Sequence, residues 1–148
     1  MNKPEVQSAL HANQSGALPG PWQDCSQAIA YSRDDLLGSM IPVYKELLRD
    51  ANLVIWVFSG DVDGIVPVLG SRRWIKSLGL PVDTPWRAWQ SQTGQIGGWR
   101  VDYEGLSFVT VRNAGHMVPY VQPERGYHLV ADFLDAASQP PPSRRRSS

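Results

Sequence analysis

Asp61-Val62-Asp63 and His116 are the residues of this chain whose types and placement could do chemistry. Ser59-Gly60-Asp61-Val62-Asp63 follows the apolar run Leu53 to Phe58, and Asn113-Ala114-Gly115-His116-Met117-Val118-Pro119 follows the alternating run Leu106 to Val111. A carboxylate and later a histidine, each just past a strand end, is the layout of the last two members of a Ser-Asp-His triad. There the acid holds one imidazole nitrogen, fixing the tautomer and stabilising the imidazolium, while the other nitrogen takes the serine proton. Loops at the carboxyl ends of neighbouring parallel strands are where such groups meet. Gly60 and Gly115 allow the sharp turns that aim a side chain back over a sheet. The nucleophile is missing from the pattern: no Gly-x-Ser-x-Gly elbow occurs in the 148 residues, so the serine is expected upstream or on another polypeptide. For the Asp/His pair taken alone, the competing reading is a surface acid and a structurally satisfied histidine.

Asp61-x-Asp63-Gly64 raises a metal alternative. It does not fit a calcium loop, because Arg72 stands where the bidentate glutamate belongs. A two-carboxylate motif is otherwise unspecific, so no metal is assigned. Asp61 is expected to bond loop amides, and Asp63 is the triad candidate. His11 and His128 fall on the first and last helices without ligand-spaced partners and receive no role. The six tryptophans are expected to pack in the core and at sheet edges rather than to bind aromatic or carbohydrate ligands.

Composition permits one ordinary domain: 42% hydrophobic and 19% charged residues suit a globular chain, not a disordered one. Fourteen basic and fourteen acidic side chains cancel, so no broad field points to nucleic acid or an anionic membrane. Arg144-Arg145-Arg146, the one charge run, reads as a solvated tail. No stretch nears the roughly 18 apolar residues of a membrane span, and the first residues lack the basic start and apolar centre of a secretory signal. Cys25 is the sole cysteine, which excludes an internal disulfide and leaves a buried thiol or half of a bridge to something outside the chain. Asn13-Gln14-Ser15 is a glycosylation sequon, meaningful only on the secretory route.

The elements that must position these residues follow from periodicity. A short helix is expected over residues 3–12, with Asn2 able to cap it and Pro4 near its first turn. Leu36, Leu37, Met40, Ile41, Tyr44, Leu47 and Leu48 predict an amphipathic helix ending near Asp50, with Pro42 inside it. Leu53 to Phe58 reads as a central parallel strand. Pro67 to Leu78 reads as a helix burying Val68, Leu69, Trp74, Ile75 and Leu78. Pro81 and Pro85 predict a connection, with an edge strand beginning at Arg87 to Gln90. Gly97 to Tyr103 and Leu106 to Val111 form a hairpin about Glu104-Gly105. A last helix over Gln122 to Ala137 presents Tyr127, Leu129, Val130, Phe133 and Leu134, and Pro140-Pro141-Pro142 ends order. The pattern is α/β with a mixed sheet.

These residues resemble the C-terminal region of plant serine carboxypeptidases. Val57 to Asp63 with Val66-Pro67 is similar to that family's aspartate motif, and Val109-x-Val111-x-Asn113 to Pro119 with Pro123 to its histidine signature. Asn2 to Gln7, Ala12-Asn13, Pro21-Trp22-x-x-Cys25-Ser26, Tyr44 to Leu47 and Gly97-Gly98-Trp99 match in order, so the likeness runs from Asn2 to about Leu134. The resemblance implies the C-terminal part of an α/β-hydrolase domain over residues 1–138, mixed and mostly parallel with flanking helices, followed by a disordered tail over 139–148. It implies that Asp63 orients His116, that His116 serves a serine in the missing N-terminal region, and that C-terminal residues are released from peptides without a cofactor. Met117 would line the pocket for the leaving residue, Cys25 would bridge to the missing region and Asn13 would carry a glycan. The destination would be vacuole, lysosome or cell exterior, and the intact enzyme could form a homodimer. Plant relatives that are acyltransferases or hydroxynitrile lyases, and a non-catalytic fragment, are the alternatives; alone, the chain is expected to be inactive.

Overall fold

The structure is a computed structural model and describes residues 1–13, 15–16, 20–23, 25, 30–49 and 53–139. The sequon's Gln14, the cysteine flanks Asp24 and Ser26, the expected helix end at Asp50 and the tail from Pro140 on, including its arginine run, lie outside the described residues. The chain divides into two compact units, Met1–Gly38 and Ser39–Ser148.

The first unit holds α1 (Pro4–Ala9) and α2 (Arg33–Leu37). Pro4 opens α1, as a residue with no N–H to lose can. Asn2 does not cap it. Lys3 holds the cap position, and the Asn2 amide is spent on Trp22, giving Nδ2–H to its carbonyl at 3.0 Å and accepting its N–H at 2.6 Å. The two-way bond staples the start of the chain to the loop preceding Cys25.

The second unit carries α3 (Ile41–Leu47), β1 (Ile55–Gly60), α4 (Val68–Ser77), β2 (Val82–Gln90), β3 (Ile96–Tyr103), β4 (Leu106–Val111), α5 (Val118–Val121) and α6 (Pro123–Ser138). The helix expected from Leu36 to Asp50 is two helices. Gly38 is extended at φ −67°, ψ 132°, and Pro42 falls in the first turn of α3, where proline is tolerated.

The sheet order is β1-β4-β3-β2. β1 lies parallel to β4, from Ile55 opposite Leu106 to Gly60 opposite Val111; β3 runs antiparallel to both β4 and β2. β2 starts earlier than expected and runs through Pro85. The ladder survives because β2 has β3 alone as a described partner and its register shifts around that residue, as a proline in an edge strand requires.

β4 is buried along its whole length. Leu106 and Phe108 face one layer with Val101, Ile75 and Leu48, while Val109 and Val111 face the other with Ala114, Val118 and Leu129. Two faces covered by helices explain why this central strand carries apolar residues on both sides. The expected stripes are only half used: Leu69, Tyr127, Val130 and Leu134 stay exposed, while Ile75 and Leu129 are buried.

Candidate functional site

The parallel pairing of β1 and β4 brings two loops out at the same end of the sheet. They are zipped together beyond the last ladder pair. Asp61 N–H donates to Val111 O at 3.1 Å, Val62 N–H donates to Ala114 O at 3.1 Å, and Asp63 N–H turns back to Gly60 O at 3.3 Å. Asp61 Oδ1 accepts the Asn113 N–H at 2.7 Å, so this carboxylate holds a loop amide, the use expected of it.

Asp63 and His116 are brought together. Asp63 Oδ2 lies 3.0 Å from His116 Nδ1. The other carboxylate oxygen, Oδ1, accepts the N–H groups of Ile65 at 2.8 Å and Val66 at 3.0 Å. Two backbone donors fix the acid so that Oδ2 has one direction to point. The Asp63 side chain is 6% exposed and the imidazole 54% exposed, so the acid is shielded and the base is open. The Asp63 pKa is lowered, first by the Val66 N–H; burial opposes this, and the His116 hydrogen bond and the Ile65 N–H add to it. An ionised carboxylate on Nδ1 keeps the proton there and leaves the lone pair on Nε2. That arrangement can accept a proton from a hydroxyl brought to Nε2 and hold the imidazolium that results.

The remaining expected residues are spread out. Met117 follows the imidazole, caps α5 and is 59% exposed. Cys25 is an exposed thiol rather than a buried one. Asn13 has a left-handed backbone at φ 51°, and its Nδ2 donates to Gln7 Oε1 at 3.2 Å. His128 packs: its ring stacks on Trp89 with centroids 5.7 Å apart, and Nε2 lies 3.5 Å from Asp132 of the same helix.

Sequence reasoning missed the outer side of the histidine loop. Gln122 Nε2 donates to Asn113 O at 3.0 Å, and Arg125 Nη1 donates to Arg112 O at 2.8 Å and to Gln122 Oε1 at 3.2 Å. The signal was a polar pair straddling Pro123 at the start of α6, a place where helix-starting residues usually need no further explanation.

The profile of the serine carboxypeptidase family matches residues 1–136. Serine carboxypeptidase-like 26 of Oryza sativa subsp. japonica is 45% identical over 139 residues, covering 94% of this chain and 28% of the relative. P-(S)-hydroxymandelonitrile lyase of Sorghum bicolor is 43% identical over 142 residues, covering 95% of this chain and 28% of the relative. The chain thus spans under a third of the length of these curated relatives. The crystal structure of a prohormone-processing carboxypeptidase from Saccharomyces cerevisiae superposes with a TM-score of 0.65 at 23% identity, covering 90% of this chain and 30% of that one, a likeness of α/β-hydrolase fold. With the aspartate and histidine loops inside the matched span and a mixed sheet between flanking helices beneath them, this chain belongs to the serine carboxypeptidase family.

Proposed function

We propose that this chain supplies the acid and base of a Ser-Asp-His triad in a serine-type carboxypeptidase whose nucleophile lies in a region outside the chain. A serine hydroxyl at His116 Nε2 loses its proton to the ring as its oxygen attacks the scissile carbonyl. Asp63 stabilises the imidazolium across Nδ1 without taking its proton. His116 then protonates the departing amine, and the C-terminal amino acid leaves. Water, deprotonated by the same nitrogen, hydrolyses the acyl-serine and restores the resting state. The observation that carries this reading is the 3.0 Å contact between a shielded, doubly anchored carboxylate and an exposed imidazole.

Met117, apolar and adjacent to the imidazole, would wall the pocket for the leaving residue and favour apolar C-terminal side chains. Cys25, exposed and without a partner cysteine in the sequence, would bridge to the nucleophile-bearing region, and Asn13 would carry a glycan. Both fit a protein of the secretory route, bound for vacuole, lysosome or cell exterior. No helix among the described residues is long and apolar enough to cross a membrane.

The test joins this chain to the nucleophile-bearing region of a family member and assays release of C-terminal amino acids. His116→Ala is expected to lower kcat by at least about 10³-fold; unchanged turnover would remove His116 from the mechanism. A second reading keeps the triad scaffold for cyanohydrin cleavage, favoured by the 43% identity to the Sorghum bicolor lyase. Benzaldehyde-type product from a cyanohydrin, with no amino acid released from peptides, would select it.

A further inference from the structure

The histidine loop leaves β4 through a residue gripped at both its polar ends. Asn113 has a left-handed backbone at φ 57°, a conformation that asparagine tolerates better than most residues and that still needs support. Its N–H is held by Asp61 Oδ1 at 2.7 Å and its carbonyl accepts Gln122 Nε2 at 3.0 Å. Gln122 is itself anchored at the junction of α5 and α6: its N–H donates to Val118 O at 2.9 Å and its carbonyl accepts the Gly126 N–H at 2.8 Å. Arg125 fixes which way the Gln122 amide faces. A guanidinium has donors only, so Nη1 at 3.2 Å selects the amide oxygen and turns the NH2 toward Asn113. The same Nη1 donates to Arg112 O at 2.8 Å, holding the residue before Asn113.

We propose that Gln122 is a positioning residue for His116, acting through the Asn113 carbonyl with Arg125 setting its amide orientation. Asp61 pins the loop from the side of β1, and Gln122 pins it from the side of α6. The imidazole, three residues beyond Asn113, is thereby held against Asp63 on a loop that cannot slide toward or away from the incoming hydroxyl. Loss of the outer brace lets the base drift, and because Gln122, Arg125 and the Asn113 carbonyl are not themselves assigned to hold the substrate, the expected defect lies in kcat rather than KM. The proposal rests on the triad reading above.

Gln122→Glu separates the brace from mere bulk. A carboxylate keeps the size and keeps Arg125 as partner, and presents an acceptor to an acceptor at Asn113 O. Protonated, the same side chain has an O–H to donate. In the joined enzyme, Gln122→Glu is expected to lose about tenfold in kcat at neutral pH with KM within about twofold. Its kcat relative to the unsubstituted enzyme is expected to recover as pH falls through the carboxyl range near 4.3. Gln122→Leu should show the same loss with a ratio flat in pH. Equal kcat for Gln122→Glu and the parent at neutral pH would overturn the proposal, as would a Gln122→Glu ratio flat in pH. Should neither variant accumulate as folded protein, Arg125→Met, which frees the amide to flip, takes their place; a kcat loss at constant KM supports the brace and parental kcat overturns it. His116→Ala run alongside distinguishes the failures. If it is inactive while the Gln122 variants behave as parent, the brace falls and the triad reading stands; if it is active, the triad reading falls first.

Discussion

Gly60 and Ala114 meet backbone to backbone: a Cβ on Gly60 would lie 2.2 Å from the Ala114 carbonyl oxygen and 2.5 Å from that of Gly115. Those distances are far inside van der Waals contact, so the two loops can carry Asp63 and His116 to hydrogen-bonding range because residue 60 has no side chain. Gly60→Ala must push the loops apart. The expected result is a loss of stability of about 1–3 kcal/mol together with a drop in kcat larger than stability alone explains. Thermal unfolding of the joined enzyme beside its turnover at a temperature where both proteins are folded checks this.

Asp63 carries a pH dependence whose sign can be worked out. Its folded pKa is depressed, by the Val66 N–H first, against burial, with His116 and the Ile65 N–H assisting. A depressed acid contributes stability that is complete above the unfolded value near 3.9 and is lost as pH falls from there through the lowered folded value. Urea unfolding of the parent is therefore expected to weaken more steeply with acidification over that window than unfolding of Asp63→Asn. In the same variant the amide disrupts the tautomer at His116, and kcat should fall by about 10⁴-fold.

On the α6 side of the sheet, Asp102 gathers three donors. Arg87 pairs with its Oδ2, while Oδ1 takes Arg100 Nε at 2.6 Å and the Ser107 hydroxyl at 2.5 Å. Burial pulls the Asp102 pKa up, yet Ser107, Arg100 and Arg87 together hold it below the ordinary value. Arg100 also lies over the Trp56 ring at 3.9 Å. Removing the acid strands two guanidinium groups that are 41% and 25% exposed, a partial rather than full burial of charge. Asp102→Ala is thus expected to cost about 1–3 kcal/mol, read as a lowered Tm, with KM unchanged because the cluster is remote from the Asp63–His116 pair along β3.

Much of the site was legible because its signals are local. Strand, turn glycine and acid stand within six residues of one another around Gly60, and strand, turn and base likewise around Gly115, so placement past two strand ends could be read without knowing the fold. What joins them was not. That β1 pairs with β4 and skips the two strands between them is a fact of long-range hydrogen bonding, as are the Asp102 cluster and the Gln122 brace. Gly97-Gly98-Trp99 was a string without a reason until the sheet supplied one: the Trp89 indole lies on Gly97, donates to Thr110 O at 2.9 Å, and leaves a Cβ on Gly98 only 1.8 Å from that same oxygen. Edge strand β2 was half missed because Pro81 just before it and Pro85 within it read as breakers, when a single-sided ladder tolerates Pro85. The amphipathic helices flanking the sheet, α4 and α6, were found at the right places but with too wide a buried stripe, since periodicity reports an apolar face and not which part of it this segment covers. The run from Leu36 hid the break at Gly38 between α2 and α3.

Met117 offers the last and most specific test. Its side chain is exposed beside the base and caps α5 rather than packing in the core, so a polar or charged replacement meets little folding penalty at that position. If it lines the pocket for the leaving residue, a carboxylate there attracts a cationic side chain. Peptides ending in Leu or Phe should be cleaved better than those ending in Lys or Arg by the parent enzyme. Met117→Glu is expected to shift the ratio of kcat/KM toward the basic residues by about 10- to 100-fold, the scale on which a single pocket contact discriminates. Competition between paired peptides in one reaction measures that ratio directly, and an unshifted ratio would place Met117 outside the specificity pocket.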